Sequence, residues 1–508
     1  MGIGKMCEKK IATNSRRQFL INSALGAAGA WVYGLSFPHL ANAQNAARRR
    51  PFVLYVHMGA WEGYSAGLMM PTDANLYPKG VFFANQQREH PNPNVNRHTK
   101  INNLVLNDYT KVLESCAGNM LFAVANPQSL AHEEAHRIQQ TGSRVEGSGK
   151  SPIWAAGFAE ATAGTSKASY VLLDGDNRGT EALAKTTPSV TTVRANSIAA
   201  AKSAYSDSDK IPKSTTAPEA DAYANLGKNA YSANYSLSLM TASEKQGAAA
   251  AIDALRRGIP DVDAVKSAVE ASITRAAIDA KLANTPDKAA VMRVNDNGDL
   301  LGATDANRGM KGLLDKLQMA AMLIETQVAS GLHINLSVHD YHGGDAHVKS
   351  ARAGSQVWAQ LATFWDWVVS KGYQNDVLVI VANEFNRTPA NNSSTTINGV
   401  IIADPNNSSA TQTVNVVSPG TDHHLTSGFA FFHGSLNGSR IGGIGDSFVP
   451  TGGGLNQGPQ IGTAPFTSLQ LVVSVFMRCF PHVFSDYRAA REIWQPLKET
   501  DIIKELLR

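Results

Sequence analysis

The 508-residue chain predicts an α/β fold, a mostly parallel sheet flanked by helices, and three observations lead there. "LHINLSV" and "DVLVIVANE" are short strand-forming runs separated by "AGSQVWAQLATFWDWVVSKG", a helical pattern that stops at Gly372. Strand, helix and strand in that order make a crossover, the connection that parallel neighbours require. "PFVLYV" and "NMLFAVA" are apolar without alternation, as strands covered on both faces are. Three cysteines in the whole sequence exclude a disulfide scaffold, so the fold must rest on an ordinary apolar core.

The first 43 residues stand apart from that core. "SRRQFL" (15–20) is a basic segment, a Gly/Ala-rich apolar stretch follows, and Ala41-Asn42-Ala43 is a small-x-small cleavage signal before Gln44. This is the pattern of a twin-arginine export signal, which implies the twin-arginine translocation machinery as a partner and the bacterial periplasm or exterior as destination. Asn22, Ser23, Ser36 and Pro38 interrupt the apolar stretch and argue against a lasting membrane anchor. The signal holds five of the 46 basic residues and one of the 42 acidic ones, so residues 44–508 carry 41 of each. A balanced surface excludes the basic face that nucleic acids or anionic membranes need. Cys116 and Cys479 remain after cleavage and would be able to pair in an oxidising compartment.

Residues 44–508 read as one α/β domain. From about 166 to 307 it is rich in Ala, Ser, Thr and Lys, and "KQGAAAAIDALRRGI" and "DAVKSAVEASITRAAIDAKLA" space their apolar residues as helices do. This stretch predicts a largely helical insertion. "MKGLLDKLQMAAMLIETQVASG" is an amphipathic helix leading back to the sheet, "INGVIIADPNNSSATQTVNVV" an irregular or hairpin excursion, and "SGFAFFHGS" a further strand. The Gly-rich "GGIGDSFVPTGGGLNQGPQ" has neither phosphate-loop nor dinucleotide spacing.

Open parallel sheets bind ligands at the carboxyl ends of their strands. Polar clusters fall at such ends: "GAWEG" after the first strand, "HDYHGGD" after Val338 and "NEFNRT" after Val381; "PGTDHH" precedes the "GFAFF" strand. Asp340 and His342 pair an oxygen with a nitrogen ligand across one residue, and Asp422 and His423 are a second such pair. These donor types suit a divalent metal such as zinc, iron or manganese, whereas a solvated polar loop would need no partner segments. A separate possibility is "HEEAH" (132–136), which satisfies the zinc-protease pattern of two histidines one helical turn apart with a water-activating glutamate between. Charged Glu134 and Arg137 flank it where that helix is usually apolar.

Taken together these clusters resemble the DUF1501 family, exported proteins related to the alkaline phosphatase and sulfatase superfamily. The residues that carry the resemblance are Gly59-Ala60-Trp61-Glu62-Gly63, His132 to Ala135 with Gly142, Asp340-Tyr341-His342, Asn383-Glu384-Phe385-Asn386-Arg387-Thr388 and Gly420-Thr421-Asp422-His423. It covers most of the chain after the signal and is weakest in the helical middle. The resemblance implies an alkaline-phosphatase-like fold, with Asp340, His342 and His423 around a first metal and Glu62 and Glu384 at second-site positions. Phe385 stands where the superfamily has a histidine ligand, and Ala131 cannot serve as a nucleophile. His132 is the position the family pattern uses, and His136 lies outside it. What these residues support is one metal with water as nucleophile, Glu62 or Glu384 as base and Arg387 holding an anionic group, in a hydrolase of phosphate, sulfate or related esters. A non-catalytic envelope protein that binds a ligand at an altered rim is the alternative, and the zinc protease is the third reading.

Overall fold

The computed structural model describes residues 51–59, 99–101, 104–106, 109–144, 151–162, 168–173, 190–195, 262–285, 288–292, 311–327, 329–336, 346–387, 394–404, 407–419, 423–424, 426–441, 466–495 and 497–507. The chain divides into two compact units, Met1–Arg49 with Ser206–Lys266 and Arg50–Tyr205 with Ser267–Arg508. Nearly all described residues belong to the second unit, which holds the sheet. The export signal lies outside the described residues.

The described strands are β1 (Phe52–His57), β2 (Thr99–Ile101), β3 (Leu104–Leu106), β4 (Met120–Ala125), β5 (Ala168–Leu173), β6 (Val190–Ala195), β7 (Gly331–Asn335), β8 (Val377–Ala382), β9 (Asn386–Arg387), β10 (Ser394–Asp404), β11 (Asn407–Pro419), β12 (His423–His424), β13 (Ser427–Phe432) and β14 (Ser439–Ile441). The described α-helices are α1 (His132–Thr141), α2 (Trp154–Thr162), α3 (Val262–Ser272), α4 (Arg275–Lys281), α5 (Lys288–Val291), α6 (Lys311–Thr326), α7 (Ala346–Ser370), α8 (Ser468–Cys479), α9 (Tyr487–Ile493) and α10 (Lys504–Leu507).

Eight strands form one sheet in the order β14, β4, β13, β8, β1, β7, β5, β6. Neighbours are parallel except at β13, which runs antiparallel to both β4 and β8. The α/β class with a mostly parallel sheet is thus the observed one. The crossover read from the sequence is present: α7 carries the chain from β7 to β8, which lie on either side of β1. β10 and β11 form the antiparallel hairpin. Within residues 166–307 the described elements include helices α3 to α5, but β5 and β6 are strands of the main sheet.

Side chains alternate across each strand, and the alternation divides the core into two layers. Val53 and Tyr55 of β1, Leu378, Ile380 and Ala382 of β8, and Phe429 and Phe431 of β13 share one face and pack against Trp154, Phe158, Phe476 and Trp494 of the C-terminal and α2 region. Trp154 and Trp494 have ring centroids 5.6 Å apart, and Phe476 lies 5.4 Å from Trp494. Residues of the other parity face α7: Phe122 lies 6.4 Å from Trp358, and Phe432 lies 5.8 Å from Trp365. Along α7 every residue from Ala353 to Trp365 is buried, the pattern of a helix covered on the sheet side and by other elements on its remaining sides.

α8 begins with a capping box, in which Thr467 Oγ1 accepts from Gln470 N at 3.3 Å and Gln470 Oε1 accepts from Thr467 N at 2.9 Å. Cys116 and Cys479, which the sequence left free to pair, are both buried as free thiols.

This register positions the site. β1, β7 and β8 are parallel, so their carboxyl ends share one edge, where His57 pairs with Asn335 and Ala382. β4 ends and antiparallel β13 begins at the same edge, with Ser427 opposite Ala125. The segments that leave these strands therefore line one rim.

Candidate metal centre at the carboxyl rim of the sheet

α1 follows β4 at that rim and brings two histidines one turn apart. Glu133 and Glu134 lie in its first turn, where acidic groups suit the positive end of the helix dipole. It stops at Gly142, whose φ of 71° is left-handed and whose N–H bonds Ile138 O at 2.7 Å. A Cβ at Gly142 would also lie 2.7 Å from the Trp154 ring, so the position requires glycine on two counts. Helical spacing turns Ala135, His136, Ile138 and Gln139 inward and leaves His132 half-buried.

The turn after β8 is fixed by its own hydrogen bonds. Glu384 N donates to Gly59 O at 2.9 Å, Gly428 N to Asn383 Oδ1 at 2.7 Å, Asn383 Nδ2 to Asn386 Oδ1 at 2.7 Å, and Asn386 Nδ2 to Thr426 Oγ1 at 3.0 Å. That frame holds the Glu384 carboxylate in the interior, 3% exposed. His132 Nδ1 meets Glu384 Oε1 at 2.6 Å. A carboxylate oxygen accepts, so Nδ1 carries the proton in this contact.

His423 arrives from β12, paired with β9 so that His423 lies opposite Arg387. Its Nδ1 lies 3.0 Å from the carbonyl of Leu130, 293 positions away, and again Nδ1 carries the proton. The rings of His132 and His423 meet edge to face at 4.6 Å. Phe385 packs against both, 5.0 Å from His132 and 4.4 Å from His423, and is fully buried. The phenyl ring in place of a ligand therefore forms an apolar wall that keeps water from one side of the pair.

Deeper lies a second group. Nitrogen atoms of His57 and His136 and a carboxylate oxygen of Glu384 all lie within 4.8 Å of one another, and the three residues are buried. The His57 and His136 rings stack at 3.9 Å with planes 13° apart. Burial, then the nearby His136 and His333 rings, hold the His57 pKa well below the ordinary histidine value, so the ring is neutral. Burial likewise pushes His333 down to about 3. Tyr55 lies beside both, 4.8 Å from the His333 ring and with its hydroxyl 3.3 Å from His57 Nδ1.

The residues singled out in the sequence divide accordingly. His132, His423 and Glu384 are brought together. Arg387 lies at the same place along the backbone, opposite His423. Glu62, Asp340, His342 and Asp422 lie outside the described residues. His57 was missed, and the signal that would have found it is a histidine as the last residue of an apolar strand; His136 was raised only through "HEEAH" and placed outside the family pattern, yet it is buried beside His57. "HEEAH" is helical, as the protease reading requires, but Glu133 is exposed while His136 faces the interior, so the glutamate is not turned toward its histidines. Imidazoles next to a buried carboxylate are a donor set that fits zinc, iron or manganese. The Nδ1 protons are held by a carboxylate and a carbonyl, the arrangement that orients histidine ligands in metal sites.

No protein-family model matches the chain, and no curated protein sequence matches it. Among solved structures, the alkaline phosphatase of the Antarctic bacterium TAB5 is 11% identical, with 77% of this chain and 95% of that chain covered at a TM-score of 0.26. The PsFucS1 sulfatase of Pseudoalteromonas sp. is 10% identical over 86% of this chain and 74% of that chain, TM-score 0.28. The phosphonate monoester hydrolase of Agrobacterium radiobacter is 10% identical over 77% and 70%, TM-score 0.29. Scores this low do not superpose one site on another, and the fold class rests on the strand order and directions described above. Among the described residues, no helix is long and apolar enough to cross a membrane.

Proposed function

We propose that the chain is an exported hydrolase that uses a divalent metal to cleave a phosphate, sulfate or related ester. One observation carries this reading: His132 and His423 meet at 4.6 Å on the carboxyl rim, each ring oriented through its Nδ1, by the Glu384 carboxylate and the Leu130 carbonyl respectively. The donors assigned to the ion are these two histidines with Asp340, His342 and Asp422. When bound, such an ion supplies Lewis acidity at the ester oxygens.

The remaining work falls to the chain itself. Glu384 fixes the tautomer and orientation of the His132 ring through the 2.6 Å contact. Phe385 shields the pair from solvent, which strengthens every electrostatic interaction there. Arg387 holds the anionic group of the ester, a task suited to a planar guanidinium. With Glu384 engaged by His132, Glu62 is the carboxylate assigned to take the proton from the attacking water. Ala131, the residue at the N-cap of α1, has no hydroxyl and supports direct attack by water over a covalent intermediate.

The test is turnover of a panel of phosphate, sulfate and phosphonate esters by the full chain beside His423→Ala and an Asp340→Ala, His342→Ala double variant. Loss of about 100-fold or more in kcat/KM in both, with loss of bound metal, is the expected outcome. Wild-type turnover in both variants would overturn the proposal. The missing hydroxyl at Ala131 also favours a second reading, a ligand-binding protein without turnover; defined ligand binding at the rim with no ester cleaved would select it.

A further inference from the structure

We infer that His57, His136 and Glu384 form an interior site for one divalent ion of the zinc(II) or iron(II) type, separate from the His132 and His423 rim. The inference does not depend on ester hydrolysis.

The argument begins with a single proton. Tyr55 has one hydroxyl hydrogen, and it is donated to the carbonyl of Gln139 at 3.0 Å. The contact between the Tyr55 oxygen and His57 Nδ1 at 3.3 Å is then satisfied only if the histidine donates. A neutral ring that carries its proton on Nδ1 has its lone pair on Nε2. His57 Nε2 is buried and has no hydrogen-bond partner among the described residues. A buried lone pair without a donor is costly, and interiors rarely tolerate one without a role. The chain thus supplies the bracing of a ligating histidine, one nitrogen held by a neighbour, on a ring with a nitrogen within 4.8 Å of donor atoms on a second imidazole and a carboxylate.

The composition of the group points to the ligand class. Two imidazoles and one carboxylate are borderline donors, which select zinc, iron(II), cobalt(II) or manganese over calcium or magnesium. A buried carboxylate is also best stabilised by a nearby cation. Three different elements supply the donors: the end of β1, the inner side of α1 and the turn after β8. Zinc–nitrogen distances of about 2.0–2.1 Å place tetrahedral donors roughly 3.3 Å apart. The present limit of 4.8 Å therefore requires each pair to close by at most about 1.5 Å. An ion lies in the plane of each ring it binds, so loading also turns one imidazole out of the 3.9 Å stack.

The test uses the full chain, stripped with a chelator and reloaded with zinc(II), with bound metal measured by elemental analysis in wild type, His57→Gln, His136→Gln and the Asp340→Ala, His342→Ala double variant. Expected are about two ions per chain in wild type, one fewer in each glutamine variant, and one ion retained in the double variant. Zinc X-ray absorption of the double variant then reports two imidazole donors and at least one oxygen, a readout that does not require the glutamine variants to fold. Folded glutamine variants that keep the wild-type metal count, or an absorption spectrum with fewer than two imidazoles, would overturn the interior site. Turnover lost in His423→Ala with full metal in His136→Gln leaves the hydrolase and removes the interior site. Metal lost in His136→Gln with no ester cleaved does the reverse. A wild type that takes up no metal removes both.

Discussion

At the scale of single residues, Phe385 shows how one substitution of type reshapes a rim. A histidine in its place would present another donor, whereas the phenyl ring packs against both His132 and His423 and covers one side of the pair with apolar surface. Phe385→Ala removes that packing and admits water beside both rings. Urea denaturation should show a loss of about 3–5 kcal/mol, the usual cost of truncating a buried phenylalanine. The ring positions of His132 and His423 should loosen with it, visible as line broadening of their side-chain resonances; wild-type stability and sharp resonances in Phe385→Ala would contradict this role. Glu384 was legible in the sequence as a polar residue just past an apolar strand. His136 was legible only as half of "HEEAH"; its place beside His57 was not, because the inward side of α1 is defined only by what the helix packs against.

At the scale of elements, α1 is set by its ends more than by its propensity. It lacks a side-chain cap at Ala131, and its C-terminus depends on Gly142 in the left-handed region against Trp154. Gly142→Ala meets both the positive φ and a contact of 2.7 Å, and the Leu469 side chain stands 2.9 Å away. The expected cost exceeds about 1 kcal/mol in a thermal or chemical melt. Because α1 carries both His132 and His136, the same variant should also bind metal more weakly; unchanged stability would show that the turn can be rebuilt. β13 makes the complementary point. Its apolar run is plain in the sequence, but its antiparallel direction between β4 and β8 follows from the path of connections, which local propensity does not encode.

At the scale of the whole molecule, stability is tied to pH by histidines buried away from the rim. His433 Nε2 faces the carbonyl of Asn375 at 3.2 Å and its Nδ1 lies 2.8 Å from Ser435 Oγ, which fixes a neutral ring. Burial pushes its pKa down to about 4; Arg478 and His482 press in the same direction, and the Asn375 carbonyl opposes them. The unfolded chain binds this proton near pH 6.5, the folded chain only near 4. Stability is therefore complete above about pH 6.5 and falls as pH drops toward 4, by roughly 3 kcal/mol from this group. His433→Gln should flatten that part of the curve in melts taken between those limits, and a slope unchanged from wild type would assign the effect elsewhere. The sequence by itself determined the class of the fold, the crossover through α7, the hairpin and the rim where polar residues gather, because apolar periodicity and turn residues are local signals. Only the tertiary structure decided that β5 and β6 join the main sheet, that Glu133 faces solvent, and that His57, His136 and Glu384 meet inside. Those outcomes depend on register and on which side of a helix is covered, and these are fixed by packing among segments hundreds of residues apart.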